Sequence, residues 1–303
     1  MTTISEIKKA RLEKLKNIEK AGLLAYPGIL KRTHTAAEVV KEFSKLSKAH
    51  KEVIVTGRIR AIRGHGGSAF VHIEDGTGRI QAYFKKDRLG EKPYAFFQAN
   101  VDVGDSIQVR GILFKTKAGE KTVEAADFKM LSKSLAPLPD KWHGLQDIEE
   151  RYRKRYLDLI FNEEVKEKFK VKAQLMQAIR EFLDKEEFIE VETPVLQPLY
   201  GGAEAQPFTT HLNAFDMDVY LRIAPELYLK RLIVGGFEKV YEMGRVFRNE
   251  GVDRTHNPEF TMMECYQAYA DYNDMMEIVE QLVEHCAKKL HGTTKVTYGD
   301  HKI

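Results

Sequence analysis

The stretch 238–270 concentrates side chains that can do chemistry. Read as a strand, the residues 260–270 alternate, placing Met262, Glu264 and Tyr266 on one face and Thr261, Met263 and Cys265 on the other. A carboxylate set among apolar residues is costly to bury without a partner. Beside a phenol in a pocket, it is what an ammonium ligand requires. Just upstream, the loop NEGVDRTHNPE joins this strand to another and, with Arg248 immediately before it, sets Arg248, Arg254 and His256 around Glu250. Those are cations for phosphate groups, together with an acid for an amine or a metal. A solvated surface hairpin would account for any one of these residues, but their concentration in a single hairpin favours a site.

The elements that must hold these residues follow from periodicity. Glu238–Arg248 and Phe260–Ala270 form the two strands of a long antiparallel hairpin. A helix runs from about Pro225 to Val234, with proline acceptable in its first turn. Another covers Tyr272 to Leu290, and residues 149–187 are helical in pattern and charge. Pro194 and Pro198 stop any helix in IEVETPVLQP. KVTYGDHKI reads as the start of a hairpin turning at Gly299-Asp300.

Nearer the N-terminus, SEIKKARLEKLKNIEKAG reads as a basic amphipathic helix over 5–22, and a second helix is expected over Thr35–Ala49. From Lys51 the period changes to two. EVIVTGRIRAI, SAFVHIEDGTGRIQAYF, DSIQVRGILFKT and EKTVEAADFKML give about five short strands with glycine-rich corners, suiting a small closed barrel of the OB type. Gly64, Gly66 and Gly67 resemble a phosphate loop only superficially: no GK[ST] follows and no helix opens there, so a barrel turn is expected. LAPLPDKWHGLQD, with its prolines, reads as a connector.

Composition narrows the class. The chain has 303 residues, 43% hydrophobic and 31% charged, so at ~100–200 residues per domain it holds about two domains. Its apolar runs are too short to span a bilayer and no secretory signal is readable, so a cytoplasmic protein away from membranes is expected. Two cysteines, Cys265 and Cys286, without a CxxC, exclude a disulfide framework and read as ordinary thiols. The net charge of +3 is uneven: residues 1–50 carry eleven Lys/Arg against five Glu, a net of +6. A basic head suits a polyanion, and a solvated helix face is the alternative.

FRNEGVDRTHNPEFTMMECYQAYADY (Phe247–Tyr272) resembles motif 2 of the class II aminoacyl-tRNA synthetases, in the wording of the lysine-specific branch. EFIEVETPVLQP (Glu187–Pro198) resembles motif 1, the family's dimer segment, which ends at a fixed proline, here Pro194. Gly201–Glu250 and the junction Leu138–Ile160 follow the family pattern as well. The resemblance implies an α+β and all-β multidomain chain: a basic helical extension (1–50), an OB-fold anticodon-binding barrel (51–135), a linker (136–150), and a class II catalytic domain of antiparallel sheet and helices (151–303), incomplete at its C-terminus.

The activity implied is ATP-dependent activation of L-lysine to lysyl-adenylate, then transfer to tRNA(Lys), by a homodimer. By match to the motif, Arg248 would bridge the amino-acid carboxylate and the α-phosphate as the catalytic residue. Glu250 would accept the adenine amino group, His256 would sit by the terminal phosphates, and Phe260 would stack on the adenine. Gly202 and Glu226 match positions holding the α-ammonium, while Tyr266 with Glu264 faces the side-chain amine. In the barrel, Phe70, Gln81 and Glu120 match anticodon-contacting positions. Alternation alone leaves Phe70 open between an exposed stacking aromatic and a core residue.

The family's third motif and its acidic Mg2+-binding segment do not occur after Tyr272. The resemblance therefore implies the N-terminal portion of a longer enzyme, with the Mg2+ ligands elsewhere and no metal site in these residues. A tRNA-binding module without catalysis is the alternative.

Overall fold

The computed structural model describes residues 3–138 and 145–302. It divides into two compact units, Met1–Phe161 and Asn162–Ile303. Part of the expected connector, residues 139–144, lies outside the described residues, as does Ile303.

The first unit opens with α1 (Ile4–Lys20), started by a capping box in which Thr3 accepts from the Glu6 N–H and Glu6 accepts from the Thr3 N–H. The helix expected over 35–49 is two short ones, α2 (Ala36–Lys41) and α3 (Phe43–Lys48), divided where Glu42 leaves helical backbone angles. Then come β1 (Val53–His65), β2 (Ser68–Glu74), β3 (Arg79–Lys85), α4 (Lys86–Leu89), α5 (Glu91–Asn100), β4 (Ser106–Lys115) and β5 (Lys121–Ser132). Two short helices, α6 (Ile148–Arg153) and α7 (Arg155–Phe161), group with this unit.

The five strands close in the order β1-β2-β3-β5-β4, with β3 and β5 parallel and the other pairs antiparallel. Closure follows from β1, which pairs with β4 along its first half and with β2 along its second, shifting register between Ile59 and Ala61. Gly111 marks a second irregularity, where a Cβ would strike the Glu124 carbonyl of the neighbouring strand. Alternate residues such as Val53, Val55, Val71, Ile73, Val109 and Val123 fill the interior. Helix α5, which no strand periodicity announces, buries Phe97 face to face with Phe84, ring centroids 4.3 Å apart. Gly66 and Gly67 form the tight β1–β2 turn between the paired residues His65 and Ser68.

The basic helix is docked rather than free. Arg11 is buried and its guanidinium donates to the carbonyls of Ser134, Ala136 and Val103, each at 3.0 Å. Lys14 pairs with Asp102 at 2.6 Å, and Asp102 also receives the buried Lys133 at 2.5 Å. Lys8, Lys9, Lys16 and Lys20 remain exposed.

The second unit contains α8 (Glu163–Lys185), β6 (Ile189–Glu190), β7 (Leu196–Gln197), β8 (Thr209–Leu212), β9 (Met217–Leu221), α9 (Glu226–Val234), β10 (Lys239–Phe247), β11 (Glu259–Gln267), α10 (Tyr272–His291) and the small pair β12 (Thr297–Tyr298) and β13 (His301–Lys302). One sheet has the order β11-β10-β6 and another β7-β9-β8. A core of Phe182, Leu183, Phe188, Tyr241, Leu282 and Cys286, with Met263 and Cys265 packed against it, joins α8 and α10 to the first sheet. Cys265 is half-buried and Cys286 buried, and burial raises the proton affinity of both thiols. Among the described residues no helix is long and apolar enough to cross a membrane.

Candidate active site and nucleic-acid interface

The hairpin of β10 and β11 pairs Val240 with Tyr266, Glu242 with Glu264, and Gly244 with Met262. Because paired residues share a face, Tyr241, Met263 and Cys265 point into the core beneath, leaving Glu242, Glu264 and Tyr266 together on the other side. The Tyr266 hydroxyl donates to Glu264 Oε2 at 3.1 Å. Burial raises the proton affinity of the Glu264 carboxyl; Glu226 and Glu242 add to this, against Arg248. The Tyr266 phenol is held protonated by burial first, then by Glu264 and Glu226. Of Glu226, Glu242 and Glu264, only Glu264 has no ion pair among the described residues, so a cation entering beside it would be favoured.

Glu226 opens α9 and forms an ion pair with Lys230 at 2.6 Å. Gly202 lies against it. At φ +88° a side chain is strained, and a Cβ there would sit 2.7 Å from the Glu226 Cβ and 3.1 Å from the Ala224 Cβ. The glycine thus lets the backbone pack directly against the stem of the Glu226 side chain.

Arg248 follows β10 directly. Its backbone N–H donates to the Pro258 carbonyl at 2.9 Å, closing the loop. Its guanidinium lies over the Phe260 ring, 5.2 Å from the centroid. Its Nε is buried with no hydrogen-bond partner among the described residues, a donor awaiting an acceptor. Glu250 accepts weakly from the Gln206 N–H at 3.3 Å. His256 is exposed in the loop, its Nδ1 2.8 Å from Asp253 Oδ2. The Asp253 carboxyl is held well below the usual range by N–H groups of the loop, that of Thr255 foremost. Arg254 is exposed.

On this same face lies a pair that sequence reasoning missed. Arg222 and Glu242 are both buried and form an ion pair. Arg222 also donates through Nε to the Arg245 carbonyl at 2.8 Å and through Nη1 to Thr193 Oγ1 at 3.1 Å, while Thr193 donates to Glu242 Oε2 at 2.6 Å. Without that guanidinium, Glu242 and Glu264 would be two uncompensated carboxylates paired across the hairpin. Arg222 follows β9, Glu242 lies on β10 and Thr193 lies between β6 and β7, and that separation in sequence gives no local signal.

In the barrel unit, Gln81 is buried and its Nε2 donates to Glu120 Oε2 at 2.7 Å, uniting two of the expected positions. Phe70 is half-buried and stacks on Tyr83 with centroids 4.6 Å apart, Tyr83 meeting Phe114 edge-on at 5.9 Å. His72 and Thr122, which sequence reading passed over, both contact Gln81. Among the described residues no group of three or more His, Cys, Asp or Glu could hold a metal ion.

Two family comparisons bear on these sites. Residues 53–131 match the OB-fold nucleic acid binding domain, and residues 147–302 match the tRNA synthetases class II (D, K and N). The chain belongs to the class II tRNA synthetases. In this synthetase the barrel is therefore the OB-fold domain, and the hairpin of β10 and β11 belongs to the catalytic domain. It is 55% identical over 295 residues to a lysine–tRNA ligase of Carboxydothermus hydrogenoformans, covering 97% of this chain and 60% of that protein. It is 54% identical to one from Pelotomaculum thermopropionicum (99% and 59%) and 49% identical to one from Thermotoga maritima (99% and 61%). The synthetase chain thus spans about 60% of the length of these curated relatives.

Proposed function

We propose that the intact protein is a lysine–tRNA ligase, activating L-lysine with ATP to lysyl-adenylate and passing the lysyl group to tRNA(Lys). The observation that carries this reading is the anionic pocket in which Tyr266 donates to Glu264 with Glu226 nearby. A cationic side chain relieves the burial of those carboxylates, whereas an aspartate side chain would add a further negative charge to them and an asparagine side chain would offset none.

The chemistry needs no general base, because the amino-acid carboxylate is already ionised at neutral pH. What it needs is alignment and charge neutralisation at the α-phosphate. Arg248, with a buried donor left open and its plane set by Phe260, suits a bridge between carboxylate and α-phosphate. Phe260 offers a face to the adenine and Glu250 an acceptor for its amino group. His256, oriented by Asp253, stands in the loop toward the terminal phosphates. The tight fit of Gly202 on Glu226 suits the α-ammonium. As the carboxylate oxygen attacks the α-phosphorus, pyrophosphate leaves, and Arg248 neutralises the charge gathering between them.

Mg2+, which would supply further charge neutralisation, has no cluster of three or more His, Cys, Asp or Glu ligands among the described residues. The barrel, through Phe70, Gln81 and Glu120, would receive the anticodon. Exposed apolar residues Ile189, Val195, Leu196 and Leu199 in the Pro194 segment suit a homodimer contact. A cytoplasmic location fits this role in translation. Aminoacylation of tRNA(Lys) by the intact protein, reduced at least about tenfold by Phe70→Ala, tests the reading. No charging of that tRNA would overturn it.

A further inference from the structure

The anticodon reading leaves a physical problem at Glu120. Its side chain is 49% exposed and stands at the end of the tight turn before β5. An exposed carboxylate samples many rotamers, and ordering it on binding opposes affinity. Something must hold it if it is to read a base edge.

The contacts supply an answer. His72 Nε2 lies 3.2 Å from Glu120 Oε1, and Gln81 Nε2 lies 2.7 Å from Glu120 Oε2, so each oxygen has its own donor. Gln81 is locked from behind by the Thr122 hydroxyl, which donates to its Oε1 at 2.8 Å. That bond orients the carboxamide, because only its nitrogen then faces Glu120 and His72. We propose that His72 is a positioning residue for base recognition, which fixes the Glu120 carboxylate through Nε2–H and thereby leaves one Gln81 N–H free for the RNA. This rests on the anticodon-binding reading of the barrel.

The alternative tautomer, with a bare Nε2, would accept from Gln81 Nε2 at 3.2 Å but would set its lone pair against the Glu120 carboxylate and take up the Gln81 N–H. The shared partner therefore selects the Nε2–H form. The charged groups that bear on His72 are Glu120 before β5, Arg63 on β1 and Arg79 on β3. Burial, with the two arginines and against Glu120, lowers the proton affinity of the imidazole, so the ring works as a neutral donor near pH 7. A free N–H beside a fixed carboxylate matches a base edge that presents a carbonyl next to an N–H. Uracil has that edge and cytosine does not.

The test uses the intact protein and RNA stem–loops carrying the lysine anticodon UUU, or the same loop with each uridine in turn replaced by cytidine. The expected result for His72→Phe is that the preference for uridine at one position falls by about fivefold or more, with Tm little changed. His72→Gln, whose amide nitrogen can replace Nε2–H, keeps that preference. Preference unmoved by His72→Phe, or lost equally in His72→Gln, would overturn the inference while binding that still depends on Phe70 leaves the anticodon reading standing. Binding unaffected by Phe70→Ala would overturn that reading, and the assignment of His72 with it.

Discussion

Tyr266 and Glu264, two residues apart on one face of β11, are joined by a hydrogen bond of 3.1 Å from phenol to carboxylate. Among the described residues the second carboxylate oxygen has no hydrogen-bond partner, and the phenol is held protonated. Burial still makes the charged form of Glu264 costly, so the pair is poised to accept a cation rather than balanced without one.

That imbalance predicts opposite effects on stability and binding. Because the folded-state proton affinity of Glu264 is raised, its ionisation at neutral pH works against the fold, and Glu264→Gln should raise Tm slightly. The same variant should weaken lysine binding by roughly thirtyfold or more, as expected for removing one partner of a desolvated charge pair. Lysine affinity of the wild type should fall on acidification, starting above the ordinary glutamate range as the carboxylate takes up its proton. Calorimetric titration of lysine across pH, with thermal melts of both proteins, measures all three.

Arg222 and Glu242 should behave as a unit. Either Arg222→Met or Glu242→Leu alone strands a buried charge and should cost about 3–5 kcal/mol, whereas the double replacement should recover most of that loss. Urea unfolding of the single and double variants gives the coupling energy directly.

At Gly202 the prediction is steric. Gly202→Ala forces a Cβ within 2.7 Å of the Glu226 Cβ at φ +88°, and should cost about 1–3 kcal/mol while raising the KM for lysine. Steady-state kinetics with lysine varied at saturating ATP would separate the KM effect from kcat.

The docking of α1 should depend on Asp102. Burial opposes its charge, but hydrogen bonds and charge from Lys133 and Lys14 outweigh this and lower its proton affinity. Its contribution is therefore present above the unfolded aspartate value and lost as pH falls through the lowered folded value. Lys133→Met should expose α1 to proteolysis at neutral pH, and acid should do the same to the wild type. Limited proteolysis across pH, followed by mass spectrometry of the released N-terminal peptide, reads this out.

Much of this arrangement is legible along the chain because its signals are local. The five barrel strands carry period-two patterns broken by glycine, and the register of β10 and β11 puts Glu264 and Tyr266 on the face that alternation assigns. The split between α2 and α3 at Glu42 is invisible, since nothing in AAEVVKEFSKLSKA breaks a helix. Helix α5 is equally silent, sitting between strands and held by the stacking of Phe97 on Phe84. The basic head reads as one charged surface, yet Arg11 and Lys14 are spent on docking the helix. The polar clusters at Arg222–Glu242 and His72–Gln81–Glu120 join residues far apart in sequence, and only the folded register brings them together.

The central claim, that the hairpin pocket selects lysine for activation, is tested most directly by amino-acid-dependent ATP–pyrophosphate exchange in the intact protein. Lysine should support exchange, aspartate and asparagine should not, and Arg248→Ala should reduce the lysine-dependent rate by roughly a hundredfold or more. Exchange driven by aspartate or asparagine in place of lysine would contradict the account.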